Sequence, residues 1–397
     1  MRREDSPSLI PYFAVVALAS ASLGGVVAVL GQLRDEFGFT DTGIGLIVAA
    51  GFAAAFFTFV YLGPLADRGH AVAMIRLGFV TSILGLAAAG LGDQLWHFVV
   101  GRVLLGTGLG LIGIAVRRAV IVADPDNVGV NLGRFGAADI GGFMVGPMIA
   151  ALFSQIAGID GVFFGFAILY LLLFSTLGTI EVDQADKDDR RRSPRDLLAN
   201  RGVIGAMMLT AAYFVFIGAF ESVFVLQLTD RGASNFTVAL ALTLVAMPIA
   251  VLAPLGGRMA QNIGARRAAL WSLAVVTVVI VPYGIVPGVV ALIVLSAVGG
   301  SVEGLSFPAV PMVMAEALPQ HRQAAGQSLV GATEVGVAAV SSLLAAAAYD
   351  AWGARAAWWS VAATVGLLVV VAALILRTAP VAPRPSTPAE PVARTAE

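Results

Sequence analysis

The sequence predicts an all-α membrane protein, with twelve transmembrane helices arranged as two six-helix halves. Three observations predict it: a composition too apolar for water, a series of apolar runs of membrane-crossing length, and a spacing pattern shared by the two halves.

Of the 397 residues, 58% are hydrophobic and 12% are charged, and the mean hydropathy is +0.90. A soluble domain carries about 25% charged residues, so the outer surface of this chain is suited to lipid. The net charge of −1 gives no basic surface for nucleic acid. Cysteine is absent, so the chain forms no disulfide, and its redox compartment stays open. His70, His97 and His321 are too far apart in sequence for a zinc site. There is no paired-histidine motif, nucleophile motif or phosphate-binding glycine loop, so neither an enzyme nor an ATP-driven pump is expected. No cofactor or metal is expected either.

A hydrocarbon core of roughly 30 Å needs about 20 apolar helical residues. Runs of this kind lie near 9–33, 43–64, 72–91, 95–122, 131–154, 161–180, 202–226, 236–256, 268–286, 289–315, 324–350 and 355–377. They lack the alternation of membrane β-strands. Arg2, Arg3 and Ala17-Leu18-Ala19 imitate a signal peptide. The apolar stretch runs on to Leu33, longer than a signal core, so a retained helix is expected.

Lys and Arg fix the expected orientation. With the N-terminus in the cytoplasm, 18 basic residues fall on the inside and only Arg34, Arg231 and Arg355 fall outside. Both termini are therefore expected inside, in a multi-pass protein of the cell membrane. Residues 1–180 form the expected N-terminal half and 202–377 the C-terminal half. The charged segment 181–201 is the cytoplasmic linker, and the Pro- and Ala-rich 378–397 a disordered tail. An offset of 194 residues maps Gly63 to Gly257, Gly106 to Gly300, Gly110 to Gly304, Ala115 to Ala309 and Gly142 to Gly336. One offset shared by several helix pairs indicates an internal repeat.

Three motifs carry more specific information. After span two the chain reads Gly63-Pro64-Leu65-Ala66-Asp67-Arg68-Gly69-His70, with a weaker copy from Gly257 to Arg267 that includes Arg266. Glycine permits a tight helix exit, and a carboxylate favours a helix N-terminus. Span four opens with Arg102-Val103-Leu104-Leu105-Gly106-Thr107-Gly108. Arg102 lies about 12 Å inside the span at 1.5 Å per residue. An arginine at that depth calls for a polar cavity or a carboxylate. Span five carries Gly133, Gly142, Gly146 and Pro147, a spacing of G-x8-G-x3-G-P. Its small residues allow close helix approach, and its proline bends the helix.

These motifs resemble those of the major facilitator superfamily. The first is similar to its loop motif G-x-L-A-D-R-x-G-R-K, the second to its R-x-x-x-G-x-G motif, and the third to its antiporter motif. The resemblance implies a six-plus-six parallel repeat. It also implies a gating role for Gly63, Asp67, Arg68, Gly257 and Arg266, and coupling or substrate binding by Arg102. The bend at Gly146-Pro147 is associated there with drug–proton antiport. The chain departs from the family pattern at His70 and Ala71, where basic residues are usual, and at Ala150-Ala151, where the motif ends in glycines.

Several acids lie within the expected spans, among them Asp139, Glu221, Glu303 and Glu334. Intramembrane carboxylates are functional candidates by default. Glu303 and Glu334 enter from opposite faces to depths of about 21 and 15 Å, so they are expected to approach near the midplane. Arg117 and Arg118, about 23 residues along span four, are read as interfacial anchors or latch partners. Tyr213, Phe214, Phe216 and Phe220 are read as ordinary lining or lipid-facing residues, and Gln32 sits at the end of span one. The expected function is export of a small amphipathic molecule in exchange for protons, by a monomer whose other partner is the lipid bilayer. An importer on the same fold, and a non-transporting receptor or assembly subunit, remain alternatives.

Overall fold

The computed structural model describes residues 9–62, 70–123, 128–174, 194–318 and 323–379. The helices in chain order are α1 (Ile10–Ala28), α2 (Leu30–Phe37), α3 (Asp41–Phe57), α4 (Ala71–Gly90), α5 (Leu95–Ala123), α6 (Val128–Phe174), α7 (Arg201–Ala219), α8 (Val225–Asp230), α9 (Asn235–Ile263), α10 (Ala265–Ile280), α11 (Val289–Ser306), α12 (Ala309–Ala317) and α13 (Gln323–Arg377). π-helical turns at Thr58–Leu62 and Phe220–Phe224 extend α3 and join α7 to α8. Among the described residues there is no strand.

Among the described residues, ten helices are long and apolar enough to cross a membrane. Their starts are set locally. Thr40 accepts from the Gly43 N–H at 3.0 Å, Asn200 from Gly202 at 2.8 Å and Ser234 from Thr237 at 3.2 Å. Each side chain satisfies a backbone donor that a helix N-terminus leaves free.

Two of the ten depart from the sequence reading, which separates 131–154 from 161–180 and 324–350 from 355–377. In the structure α6 has 47 residues and α13 has 55, with no intervening loop. Straight helices of those lengths would measure roughly 70 and 80 Å. Instead, α6 breaks at Gly158 (φ 69°) and α13 at Gly353 (φ 75°). Glycine enters this left-handed region without a Cβ clash, so Gly353 alone interrupts α13, and Gly158 with the non-helical Ala157 interrupts α6. The expected single spans 9–33 and 289–315 are also divided. The first is interrupted at Val29 (φ −98°, ψ 4°). The second stops at Ser306 and restarts at Ala309, across Phe307 and Pro308. Pro308 has no N–H to continue the ladder.

Close backbone contacts hold the bundle, and they recur at the offset seen in the sequence. A Cβ on Gly106 would stand 2.2 Å from the Gly51 carbonyl oxygen, and one on Gly300 would stand 2.3 Å from that of Val245. Both residues of the second pair lie 194 positions beyond the first. Likewise Gly142 and Gly146 leave room for the carbonyls of Ala17 and Ala21, at 2.2 and 2.1 Å from a hypothetical Cβ. In lipid there is little hydrophobic drive between helices, so association depends on such intimate packing. Between α3 and α13, Gly45 lies against Ala346, Phe56 against Gly336 and Phe59 against Gly331.

Candidate functional site: charges buried between the helices

Arg102 is on α5, buried at 5% exposure. Gly51 on α3 makes the room for it, since a Cβ there would stand 3.0 Å from Arg102 Nε. That nitrogen donates to the Ile47 carbonyl at 3.4 Å. The opposing charge is Glu221, which interacts electrostatically with the guanidinium. Glu221 is 7% exposed and its Oε2 has no hydrogen-bond partner. It sits on the π-helical turn Phe220–Phe224, a geometry that widens the helix and often accompanies function. The carboxylate expected near Arg102 thus comes from the other half of the chain.

A second group joins α5, α6 and α13. Asp139 accepts a hydrogen bond from the Ser20 hydroxyl of α1. Arg117 is exposed, lies 5.3 Å over the Phe135 ring, and interacts electrostatically with both Asp139 and Glu334. The sequence reading makes Arg117 an interfacial anchor or latch partner. Arg117 lies four turns beyond Arg102 on α5, and the long guanidinium stem carries the charge to the acids.

A third group lies within the C-terminal part of the chain. Glu303 on α11 is 2% exposed. Its Oε2 accepts from the Tyr213 hydroxyl at 3.3 Å, and its Oε1 has no hydrogen-bond partner. Tyr213 also interacts electrostatically with Glu334. The sequence assigns Tyr213 no special role. It lies among the aromatic residues of α7, and its hydroxyl neighbour is 90 positions away.

Of the gating residues, Gly63, Asp67 and Arg68 lie outside the described residues. In the second copy, Gly257 is within α9, while Arg266 Nη1 donates to the Ala379 carbonyl at 2.9 Å and to that of Leu376 at 3.4 Å. Arg266 therefore ties the start of α10 to the end of α13. Gly133, Gly142, Gly146 and Pro147 all fall inside α6. Among the described residues no cluster of three or more acidic or imidazole side chains is placed to hold a metal ion.

At the end of the bundle away from the chain termini, a polar network ties the two parts together. Arg34 on α2 bonds Asp41 at 2.8 Å, Asp35 at 2.9 Å and Asp230 at 2.5 Å. Tyr349 donates to Asp230 at 2.5 Å, Thr42 to Asp350 at 2.7 Å, and Asn235 to Gln32 at 2.7 Å. Burial works against the charge on Arg34, and the bonds to Asp230, Asp41 and Asp35 outweigh it and raise its pKa. The sequence signal for this network is the presence of Arg34 and Arg231 as two of only three basic residues in the expected outer loops.

The comparisons with known proteins give a family and a fold. A family model described as Major Facilitator Superfamily matches residues 12–232 and 202–396. The chain is 24% identical over 281 residues to the multidrug resistance protein MdtG of Rahnella sp. (strain Y9602), covering 68% of each chain. It is 24% identical over 285 residues to MdtG of Escherichia coli (strain K12 / DH10B), covering 68% of this chain and 69% of the relative. Among solved structures, the nucleoside transporter NupG superposes with a TM-score of 0.73 at 13% identity, over 93% of this chain and 99% of that one. A bacterial homologue of the human lysosomal transporter Spinster, inward-facing and occupied, gives a TM-score of 0.75 at 15% identity, over 93% and 95%. These likenesses show the fold.

Proposed function

Because the chain belongs to the Major Facilitator Superfamily and is a multi-pass membrane transporter, we propose that it exports a small amphipathic molecule in exchange for protons. The observation that carries this reading is the meeting of intramembrane charges from both parts of the chain, Arg102 with Glu221 and Arg117 with Glu334. Carboxylates removed from water can take up and release a proton as their surroundings change. When each charge faces a partner on the other half, protonation alters the free energy of bringing the halves together. Coupling then needs only that substrate and proton favour different arrangements.

Export is supported by the G-x8-G-x3-G-P spacing of α6 and by relatives named as multidrug resistance proteins. In this reading the breaks at Gly158 and Gly353 are reversals between crossings, which makes twelve crossings with six in each half. The termini are cytoplasmic, the membrane is the cell membrane, and the monomer is the working unit. Asp67 and Arg68 gate the cytoplasmic side.

The test is steady-state accumulation of labelled amphipathic cations and neutral drugs in a bacterium lacking its main efflux pumps. Expression of the chain is expected to lower accumulation of some compounds. An uncoupler and Asp67→Asn are each expected to abolish that fall. A rise in accumulation would instead make the protein an importer.

A further inference from the structure

We propose that Phe307 seals the end of the bundle opposite Arg34, by seating over the bare backbone of Gly113 when the two parts of the chain close there. The inference rests on the exchange proposed above and names a contact that closure makes.

Gly113 and Phe307 are equivalent positions of the internal repeat, 194 residues apart. The equivalence holds in space one turn earlier on each helix. A Cβ on Gly110 would lie 3.0 Å from Thr58 Cβ and 3.5 Å from Ala55 Cα. One on Gly304 would lie 3.0 Å from Leu252 Cβ and 3.1 Å from Ile249 Cα. Leu252 and Ile249 are 194 positions beyond Thr58 and Ala55, so α5 packs on α3 as α11 packs on α9.

The two positions stand at one depth. α5 starts at the end tied by Arg34, where the Phe98 ring is 5.2 Å from that of Phe37 and 5.6 Å from that of Phe39. α11 starts there too, because Arg231, the chain neighbour of Asp230, donates to the Gly288 carbonyl at 2.8 Å. Gly113 is 18 residues beyond Leu95, and Phe307 is 18 beyond Val289. Each is therefore about 27 Å along its helix from that end.

Both positions face inward. On α11, Val290, Val294 and Val298 are 75%, 58% and 50% exposed and mark the side suited to lipid. Phe307 is nine residues past Val298, which turns it about 180° to the opposite side. It is nevertheless 40% exposed, so it borders open space inside the bundle. On α5, Gly113 is 11 residues past Arg102, three turns along the same face. At Arg102 that face is covered, with Nε bonded to the Ile47 carbonyl. At Gly113 a Cβ would meet nothing within 4 Å among the described residues. The helices thus part at this depth. Closure brings equivalent positions together across the axis that relates the repeats. Two large side chains there would collide. A phenyl ring against a glycine packs closely, and the Phe307 ring is braced by that of Tyr213, 6.4 Å away.

The chain has no cysteine, so Gly113→Cys with Phe307→Cys gives the full-length protein two thiols. In membranes treated with copper phenanthroline and oxygen, which take up the two electrons and two protons released, this pair is expected to form a disulfide. It is expected to do so about tenfold faster than Gly113→Cys with Val298→Cys, because only Cα atoms within about 7 Å can be bridged. The crosslink is read without any transported compound. The side chains are tested by exchange. For compounds that the accumulation assay shows to be exported, Gly113→Phe is expected to slow efflux about tenfold, and adding Phe307→Gly to restore most of it. Rescue by the second change separates a fitted pair from a merely disruptive substitution. If the thiols at 113 and 307 stay apart, or the exchange fails to rescue, in a chain that still exports, the seal is wrong and export stands. If they crosslink in a chain that exports nothing, the seal stands and export falls. If there is neither crosslink nor export, both fall.

Discussion

Arg102 is a guanidinium taken out of water, with its opposing charge supplied by Glu221 from 119 positions along the chain. Removing either group leaves the other buried charge without its electrostatic counterpart, which is destabilising. Glu221→Gln and Arg102→Gln are each expected to lower the thermal unfolding temperature of the detergent-purified protein. The double variant is expected to lose less than the sum, because neither charge is then stranded. Strict additivity would show that the two residues do not act on each other. Glu334→Gln is expected to remove proton-dependent transport while leaving expression intact, as read in reconstituted vesicles. Full gradient-driven activity in that variant would exclude Glu334 from coupling. At this scale, the sequence made the buried charges legible as charges, because a single ionisable residue in an apolar run is conspicuous. It did not make their partners legible. Arg117 finds Glu334, and Tyr213 finds Glu303, only once distant helices meet, and no local periodicity encodes that meeting.

The elements are joined by glycines whose positions matter one at a time. Gly141 and Gly142 are neighbours on α6. A Cβ on Gly142 would press to 2.2 Å from the Ala17 carbonyl oxygen, whereas one on Gly141 meets nothing within 4 Å. Backbone cannot yield as a flexible side chain can, so Gly142→Ala must part α1 from α6. It is expected to lower the unfolding temperature sharply or to prevent recovery of folded protein. Gly141→Ala is expected to be neutral or slightly stabilising, since alanine exceeds glycine in a helix interior by roughly 0.5–1 kcal/mol. Equal effects of the two substitutions in a thermal unfolding assay would remove the packing explanation. Here the sequence was informative, because Gly142 and Gly146 are spaced to share one helix face and both are packed on α1. The connections were less legible. A break carried by Ala157-Gly158 or by Gly353 leaves no polar loop to mark it, and in an apolar run these glycines look like the many that serve packing.

For the molecule as a whole, the network around Arg34 ties distant helices together at one end of the bundle. It joins α2 and α3 to α8 and, through Tyr349 and Asp350, to α13. Beneath it, Ser342 is fully buried and its carbonyl stands 3.0 Å from a hypothetical Cβ on Gly45. In the exchange proposed above this end opens, and each bond across it biases the molecule toward the closed arrangement. The chain contains no cysteine, so Ser342→Cys introduces a single thiol of nearly the same shape. In the otherwise unchanged protein it is expected to react slowly with a membrane-impermeant maleimide. Adding Arg34→Ala removes three carboxylate contacts at once and is expected to raise the labelling rate about tenfold, a shift of roughly 1.4 kcal/mol in the closed–open balance. Asp230→Asn should give a rise of the same sign, because Asp230 is the partner across the interface. Asp35→Asn should leave the rate unchanged, because Asp35 lies beside Arg34 on the same helix and spans nothing. An Arg34→Ala variant that labels no faster would mean that apolar packing between α3 and α13, led by Gly45 against Ala346, holds the end shut without the ions.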